Sequence, residues 1–274
     1  MRITRILGAI LLSIAGVSMA RAEERNPLNA TAIVDMGGFF SSTDVRVRLD
    51  GQGGRFGDPV DLDDTFGFDR FERFRFDGLW RIKGKHSIRG TYFSNDRSGT
   101  RELARDINFG DETYPVGATT TARWQLEVMQ LSYDYAFKRE EKYELAAGIG
   151  VHMLDATMGL DATVTASGGS VSRELSQRGS TAAPLPVVGL RGIWRLPHDF
   201  YFSAQAQFFY VDFDDYIGSL SDLKTSITWQ ATPRFGVGLG YNDFRFRMKI
   251  DRDLFSGRLR WNYGGAMAFA SLVF

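Results

Sequence analysis

Residues 264–274 read GGAMAFASLVF, a run of small and apolar residues that ends the chain on Phe274. Chain termini are normally polar and frayed, so an apolar end is unusual for a soluble protein. The run alternates with the two-residue period of a β-strand. One face of this predicted strand carries the apolar even-numbered positions Ala266, Ala268, Ala270, Leu272 and Phe274.

The other end of the chain has the pattern of a secretory signal peptide. Residues 1–5 are basic, residues 6–19 are apolar and uncharged, and residues 20–22 read ARA, a small-residue cleavage site. The apolar run is too short to span a bilayer as a helix. We expect a signal peptide over residues 1–22 and an exported barrel domain over residues 23–274.

The composition fits an exported β-barrel. Charged residues make up 24% of the chain and the mean hydropathy is −0.21, which a barrel explains because only the outward half of each strand has to be apolar. The chain has no cysteine, so a disulfide framework is excluded. A formal net charge of zero gives no general attraction to nucleic acid.

Alternating segments divide the exported chain into ten predicted strands separated by connections of unequal length. An even number places both termini on one side, which we expect to be the periplasm, with the short turns there and the long loops outside. The predicted fold is an all-β, transmembrane, antiparallel up-and-down β-barrel in the outer membrane, and eight or twelve strands are the alternatives. The ten strands cover residues 31–49, 73–83, 87–95, 122–137, 142–164, 185–196, 200–212, 220–230, 235–250 and 256–274.

Apolar positions change parity partway along the last strand. Leu259, Trp261 and Tyr263 are odd-numbered, whereas Leu272 and Phe274 are even-numbered. A β-bulge at residues 264–265 would produce this switch, because glycine is common at bulges. The alternative is that the upper part of the strand leaves the membrane and meets water on both faces.

Three blocks resemble a family of uncharacterised proteobacterial outer-membrane β-barrel proteins. They are residues 60–68 (VDLDDTFGF), 109–118 (FGDETYPVGA) and 214–220 (DDYIGSL), together with the Phe274 terminus. The resemblance implies the fold and the compartment, and it implies no activity. It also implies that Phe274 is a signal read by the barrel-insertion machinery.

Polar positions opposite the apolar face predict a lumen of ion pairs. In a barrel of this size, side chains can fill the interior, and the arginine guanidinium can bridge several carboxylates. A structural network is the favoured interpretation, and a pore or binding cavity is the rival. The predicted lumen network includes Asp35, Asp77, Glu127, Asp134, Glu144, Asp155 and Arg191.

Basic residues are concentrated near the outer ends of strands that become neighbours when the barrel closes. Such a basic rim would contact lipopolysaccharide phosphates above the membrane or bias a channel mouth toward anions. We favour the lipopolysaccharide contact. The predicted rim residues are Arg46, Arg48, Arg73, Arg75, Arg245, Arg247, Lys249, Arg258 and Arg260.

Signals for an enzyme or a cofactor are weak. His152 is the one histidine predicted on the inner face, with Ser132 on the preceding strand, and barrel hydrolases need a histidine beside carboxylates or a serine. The acidic first loop carries Asp61, Asp63 and Asp64 but does not match a calcium-binding loop. We therefore predict no metal, no cofactor and no enzymatic activity, with a hydrolase at His152 as a minor alternative.

Aromatic residues predict two girdles at the edges of the membrane-facing surface. The periplasmic girdle is predicted to contain Trp80, Trp194, Phe200, Tyr201, Trp229 and Phe235, and the outer one Phe40, Trp124, Tyr210 and Phe244. The leading function is a non-enzymatic outer-membrane protein whose surface loops and basic rim contact lipopolysaccharide or external partners. A small passive channel for hydrophilic solutes is the second candidate, and the sequence gives no indication of oligomeric state.

Overall fold

The computed structural model describes residues 25–52, 55–67, 70–165, 172–213, 216–252 and 255–274, and the expected signal peptide lies outside them. No helix in this part of the chain is long and apolar enough to cross a membrane. In chain order the elements are β1 (Ala32–Leu49), β2 (Val60–Asp61), α1 (Leu62–Phe66), β3 (Arg70–Lys83), β4 (His86–Glu102), β5 (Ile107–Phe109), β6 (Glu112–Tyr114), β7 (Thr119–Arg139), β8 (Tyr143–Thr165), β9 (Ser172–Arg195), a 3-10 turn (Pro197–Asp199), β10 (Phe200–Phe213), β11 (Tyr216–Thr232), β12 (Phe235–Arg252) and β13 (Phe255–Val273).

Ten long strands close into a barrel in which neighbouring strands are antiparallel. β1, β3, β4 and β7 to β13 follow one another around the wall in chain order, and β13 pairs with β1 to close it. The last residue takes part, because the Phe274 amide donates to the Ala32 carbonyl at 2.8 Å. The prediction of a ten-stranded up-and-down barrel is confirmed.

Several strands extend further than predicted at one end of the barrel. We call the end that carries Ala32 and Val273 the lower end, and the opposite end the upper end. β4 continues to Glu102, and β9 begins at Ser172, within the stretch between the predicted strands of residues 142–164 and 185–196. The prediction of a connection there is therefore wrong from Ser172 onward, since residues 172–183 pair with β8, and residues 166–171 lie outside the described residues.

β13 runs past Gly264 and Gly265 without a bulge. Gly264 pairs with Ser42 on one side and with Asp243 on the other, and the register with β1 and β12 is unbroken. The predicted bulge is wrong. Side chains keep their alternation, and at this level the apolar positions change from the outer face of the wall to the inner face.

The outer face of the lower half is apolar. Its side chains are exposed in the isolated chain and form a continuous belt around the barrel, as a lipid-facing surface requires. We call this surface the apolar belt. Its members include Phe74, Trp80, Leu131, Tyr133, Phe137, Ile149, Val188, Leu190, Trp229, Val237, Leu239 and Tyr241.

The inner face of the upper half is apolar instead. Phe39, Phe93, Trp124, Phe244 and Trp261 belong to one buried cluster that crosses the interior. Two outer-girdle predictions are therefore wrong, because Trp124 and Phe244 point inward. In the lower girdle, Tyr201 also points inward and is buried, whereas the other predicted members of both girdles are not buried.

The upper wall separates into two sheets that face each other. Pairing of β3 with β4 extends upward only to Phe76 and Tyr92, and pairing of β9 with β10 only to Val188 and Phe208. Above these points β4, β7, β8 and β9 form one sheet, and β10 to β13, β1 and β3 form the other. The apolar cluster lies between them, as in a β-sandwich.

Loop elements close the upper end over this core. α1 is capped by Asp61, whose side chain accepts from the Asp64 amide, and ends at Gly67, which has φ of 75°. Leu62 and Phe66 of α1 are buried. The β5–β6 hairpin adds buried side chains of its own, so the top of the sandwich is covered.

Candidate functional site

The lower lumen is organised around one carboxylate, that of Glu144. Arg191 approaches it at 2.7 Å, and Arg81 and Arg139 approach it at 3.3 Å. Glu144 and Arg81 are buried, so each charge is stabilised mainly by its partners rather than by water. This cluster ties together β3, β7, β8 and β9.

A second cluster lies higher in the lumen, around Asp77. Its carboxylate contacts Arg75 at 2.9 Å and Lys224 at 2.8 Å, and accepts from the Thr91 hydroxyl at 2.7 Å. Arg75 also donates to the Asn242 carbonyl oxygen at 2.6 Å. Strands from opposite sides of the barrel are thus linked across the lumen.

Five of the seven predicted network residues lie in the lumen, and two do not. Glu127 of β7 and Asp155 of β8 lie opposite each other in register, and Asp155 is exposed on the outer face. The prediction that they line the lumen is wrong, because at their level the inner face is already apolar. The residues inside are Asp35, Asp77, Asp134, Glu144 and Arg191.

The segment before β1 folds into the lower mouth of the barrel. Arg81 donates to the carbonyl of Ala30 at 2.7 Å and to that of Pro27 at 2.9 Å, and Arg139 donates to the Leu28 carbonyl at 2.7 Å. Leu28 is buried against Ile193 and Tyr201. Sequence reasoning missed this plug, because residues 25–31 carry no periodic pattern.

The interior of the described part of the chain contains a polar cavity and an apolar crevice at different levels. A polar cavity of about 110 Å³ lies above the plug and is lined by residues such as Asp35, Arg191 and Lys224. An apolar crevice of about 60 Å³ lies between the two upper sheets and is lined by Leu49, Met248 and others. The apolar cluster occupies the level between them.

His152 lies in the middle of the packed interior and is fully buried. Its Nε2 is 3.0 Å from the Gln207 Oε1, and Gln207 donates through Nε2 to the Ser132 hydroxyl at 2.9 Å. The imidazole stacks on Phe244 with 10° between the ring planes. A glutamine therefore separates the predicted pair of His152 and Ser132.

The predicted basic rim divides into two groups. Arg73 and Arg75 point into the lumen and are buried, and the Arg73 guanidinium lies over the rings of Phe39, Phe93 and Tyr263. The other residues are on the outer face of the upper wall. This outer group, which we call the basic patch, comprises Arg46, Arg48, Arg245, Arg247, Lys249, Arg258 and Arg260.

Strand register arranges six of these residues in two rows across β12, β13 and β1. Cross-strand partners share a face of the sheet, so each row is a line of adjacent cations. The upper row is Lys249, Arg258 and Arg48, and the lower row is Arg247, Arg260 and Arg46.

Carboxylates compensate part of the basic patch. Arg46 contacts Asp61 at 2.7 Å, Arg48 contacts Asp50 at 2.7 Å and Arg245 contacts Asp243 at 3.0 Å. Among the described residues, no ion pair of this kind joins a carboxylate to Arg247, Arg258 or Arg260. The central part of the basic patch therefore has excess positive charge on a solvent-facing surface.

An acidic cluster borders the basic patch at the start of α1. The carboxylates of Asp44, Asp61 and Asp63 lie within 4.8 Å of one another. Burial raises the pKa of Asp63 to about 7, and the neighbouring carboxylates act in the same direction while the Val45 amide opposes them. Clusters of acidic side chains are common without a metal, and we assign no cation to the cluster.

Comparisons with known proteins define the class of the fold. No protein-family model and no curated protein matches the chain. Among solved structures, the outer membrane protease OmpT from Escherichia coli matches 90% of this chain and 98% of its own at a TM-score of 0.58 and 14% identity. The toluene transporter TodX of Pseudomonas putida matches 94% of this chain and 95% of its own, at 0.35 and 8%.

Ail, the attachment invasion locus protein of Yersinia pestis, matches 89% of this chain and 99% of its own, with a TM-score of 0.32 and 11% identity. The match to OmpT, together with the closed ten-stranded wall, identifies the fold as that of bacterial outer-membrane β-barrels. At 14% identity the similarity extends to the fold alone.

Proposed function

We propose that this protein is a non-enzymatic barrel of the bacterial outer membrane whose basic patch binds the phosphate groups of lipopolysaccharide. The observation that carries the proposal is the double row of cations on the outer face of β12, β13 and β1. These residues lie on the same strands as the apolar belt and directly above it.

The spacing of the rows suits a polyphosphorylated ligand. Neighbouring strands are about 4.8 Å apart, so one phosphate can accept hydrogen bonds from guanidinium groups on two strands. Arginine binds phosphate through two parallel N–H donors, and Arg247, Arg258 and Arg260 supply such donors on adjacent strands. A flat array of cations can bind several phosphate groups of an anionic surface at once, and therefore favours such a surface over a single small anion.

The position of the basic patch relative to the membrane selects lipopolysaccharide among phosphate-bearing molecules. With both termini in the periplasm, the upper half of the barrel lies outside the cell. The apolar belt then lies in the bilayer, and the basic patch lies at the level of the outer-leaflet head groups. Those head groups are lipopolysaccharide phosphates in bacteria that have an outer membrane.

The interior supports a packed barrel over the channel and hydrolase alternatives. A channel would need a continuous polar path, whereas the apolar cluster around Phe244 and Trp261 crosses the upper interior. A hydrolase would need its histidine to reach the substrate, whereas His152 is enclosed between Gln207 and Phe244.

Thermal stabilisation by lipopolysaccharide tests the proposal. Ligand that binds only the folded state stabilises it by roughly 2.7 kcal/mol at a hundredfold excess over Kd, so the melting temperature in detergent micelles is expected to rise with added lipopolysaccharide. The rise should shrink with salt and with enzymatically dephosphorylated lipopolysaccharide. Combined Arg247→Gln, Arg258→Gln and Arg260→Gln substitutions should remove most of it.

A matched control removes equal charge at the other end of the barrel. Lys83→Gln, Lys85→Gln and Lys142→Gln alter the lower turns and are expected to leave the stabilisation unchanged. Equal stabilisation of both triple variants, or equal stabilisation by phosphorylated and dephosphorylated lipopolysaccharide, would refute the proposal.

A further inference from the structure

β9 has a long edge that its neighbour does not cover. β9 has 24 residues and β10 has 14, although β9 ends and β10 begins at the same turn at the lower end. Above Val188, β9 pairs with β8 and, among the described residues, with no other strand. The backbone of residues 172–187 therefore presents one ladder edge that is not paired with β10.

The corresponding opening between β3 and β4 is different, because it is covered by the chain itself. α1 packs against β1, β4 and β7, with Leu62 and Phe66 buried. The Asp63 carboxylate also accepts from the Val45 amide at 2.9 Å. The edge of β9 has no helix of this kind among the described residues, and β6 contacts β9 without pairing with it.

Two prolines mark the lower limit of the free edge. Pro184 and Pro186 lie just above the last residue of β9 that pairs with β10, Val188. Proline has no N–H to donate and is confined to edges in sheets. The prolines therefore account for the loss of pairing and would stop an added strand before it reached the apolar belt.

Side chains along the free edge, residues 172–187 of β9, alternate as they do in a sheet that has one solvent-exposed face and one buried face. Glu174, Arg178 and Ser180 are exposed on the outer face, while Leu175 is buried on the inner face. The apolar crevice of about 60 Å³ reaches the edge at Gly179 and Ser180. It offers space for an aliphatic side chain that enters beside β9.

We propose that the free edge of β9 is a strand-addition site for an extended peptide of a partner protein outside the cell. Main-chain hydrogen bonds would supply the affinity, and alternate side chains the specificity, as in other cases of β-augmentation. The matching peptide alternates apolar and polar residues. Its apolar side chains face the crevice, and its polar side chains continue the outer face of β9.

A second copy of the chain fits this edge poorly. Two copies in one membrane are related by an axis along the membrane normal, so their β9 strands would run in the same direction. The antiparallel ladder, in which paired residues exchange both hydrogen bonds, is then excluded. A peptide from another molecule has no such restriction on its direction.

The experiment uses a labelled peptide that copies residues 154–165 (LDATMGLDATVT), the part of β8 that already pairs with residues 172–183. Fluorescence polarisation with the purified protein in detergent micelles is expected to show saturable binding. A second peptide with N-methyl groups on alternate backbone nitrogens keeps every side chain and loses the donors of one edge. Its affinity should fall about tenfold or more.

Disulfide cross-linking then locates the peptide. The chain has no cysteine, so Ser180→Cys is the only thiol of its variant, and it should form an adduct with a cysteine-bearing peptide. Thr157→Cys is the matched control, because Thr157 is the register partner of Ser180 on β8 and lies one strand away from the edge. Each variant is first checked for heat-modifiable gel migration, which shows that the barrel has folded.

Several results would overturn the proposal. They are the absence of an adduct at Ser180→Cys, equal adduct formation at Thr157→Cys, or equal affinity for the N-methylated peptide. A disulfide-linked dimer of Ser180→Cys that forms faster than the peptide adduct would assign the edge to a second copy instead.

Discussion

Arg260 lies directly opposite Arg46 on one side and Arg247 on the other, so three guanidinium groups share one row of the outer surface. Like charges in opposed positions of a sheet are destabilising. We predict that Arg260→Gln raises the free energy of unfolding by roughly 0.2–1 kcal/mol at low salt in phosphate-free detergent. The gain should disappear at high salt, where charges are screened.

Urea unfolding followed by tryptophan fluorescence measures this change. Arg178→Gln is the control, because Arg178 is also exposed but faces Gly159 across the strands. A destabilised Arg260→Gln variant would show that the guanidinium row is already neutralised within the protein.

Glu144 is the carboxylate on which the lower lumen depends. Its removal leaves the buried guanidinium groups of Arg81 and Arg191 without their main counter-charge. We expect Glu144→Ala to cost about 3–5 kcal/mol of unfolding free energy, the usual penalty for breaking a buried ion pair. Glu174→Ala, which removes an exposed carboxylate of β9, should stay within about 0.5 kcal/mol of the wild type. A Glu144→Ala loss as small as the control's would mean that water, and not the network, solvates these arginines.

Asp63 makes the docking of α1 depend on pH. Its pKa is raised from 3.8 to about 7, so the folded state favours the protonated carboxyl. Stability is therefore highest below the unfolded value and falls as the pH rises from about 4 to about 7. Hydrogen exchange of the Gly67 amide, which donates to the Asp63 main-chain carbonyl at 2.9 Å and closes α1, should show protection, corrected for its intrinsic rate, that declines several-fold over this range.

Asp63→Asn should abolish the decline, because the amide does not ionise. Asp64→Asn changes the exposed neighbour on α1 and should preserve it. Protection that stays constant with pH in the wild type would contradict the prediction.

Apolar side chains lie on the outer face of the strands in the lower half of the barrel and on the inner face in the upper half. This change predicts which tryptophans contact lipid. Trp80 and Trp229 are exposed in the apolar belt, whereas Trp124 and Trp261 are buried inside. In bilayers that contain brominated lipids, Trp229→Phe should reduce the quenched fraction of the fluorescence, and Trp261→Phe should not. Quenching that disappears in the Trp261→Phe variant would place the upper core in the membrane.

The sequence predicted the barrel and the number of strands well, because alternation and turns are local signals. It did not show which face of a strand lies inside, since a two-residue period fixes only that the faces differ. From that period alone, Trp124 and Phe244 are predicted on the outer face and Glu127 and Asp155 on the inner face, and both predictions are wrong. The level at which the apolar side chains change from the outer face to the inner face depends on how far the wall rises above the apolar belt. The sequence of a single strand does not show this height.

α1, the plug and the free edge of β9 differ in whether the sequence carries a local signal for them. α1 was predicted as part of an acidic loop, although Asp61 before Leu62 and Gly67 after Phe66 form the cap and stop signals of a short helix. The plug at residues 25–31 had no such signal, because backbone carbonyls bound by Arg81 leave no mark on composition. The free edge of β9 results from a mismatch in strand length and cannot be read from either strand alone.

Direct counting of bound lipid is the sharpest test of the proposed function. Native mass spectrometry of the protein released from micelles would compare phosphorylated lipid A with its dephosphorylated form. We predict that the wild type and the lower-turn triple variant (Lys83→Gln, Lys85→Gln, Lys142→Gln) retain phosphorylated lipid A, and that the Arg247→Gln, Arg258→Gln, Arg260→Gln variant loses it. Equal retention by both triple variants, or retention of both lipid forms alike, would contradict binding of phosphate by the basic patch.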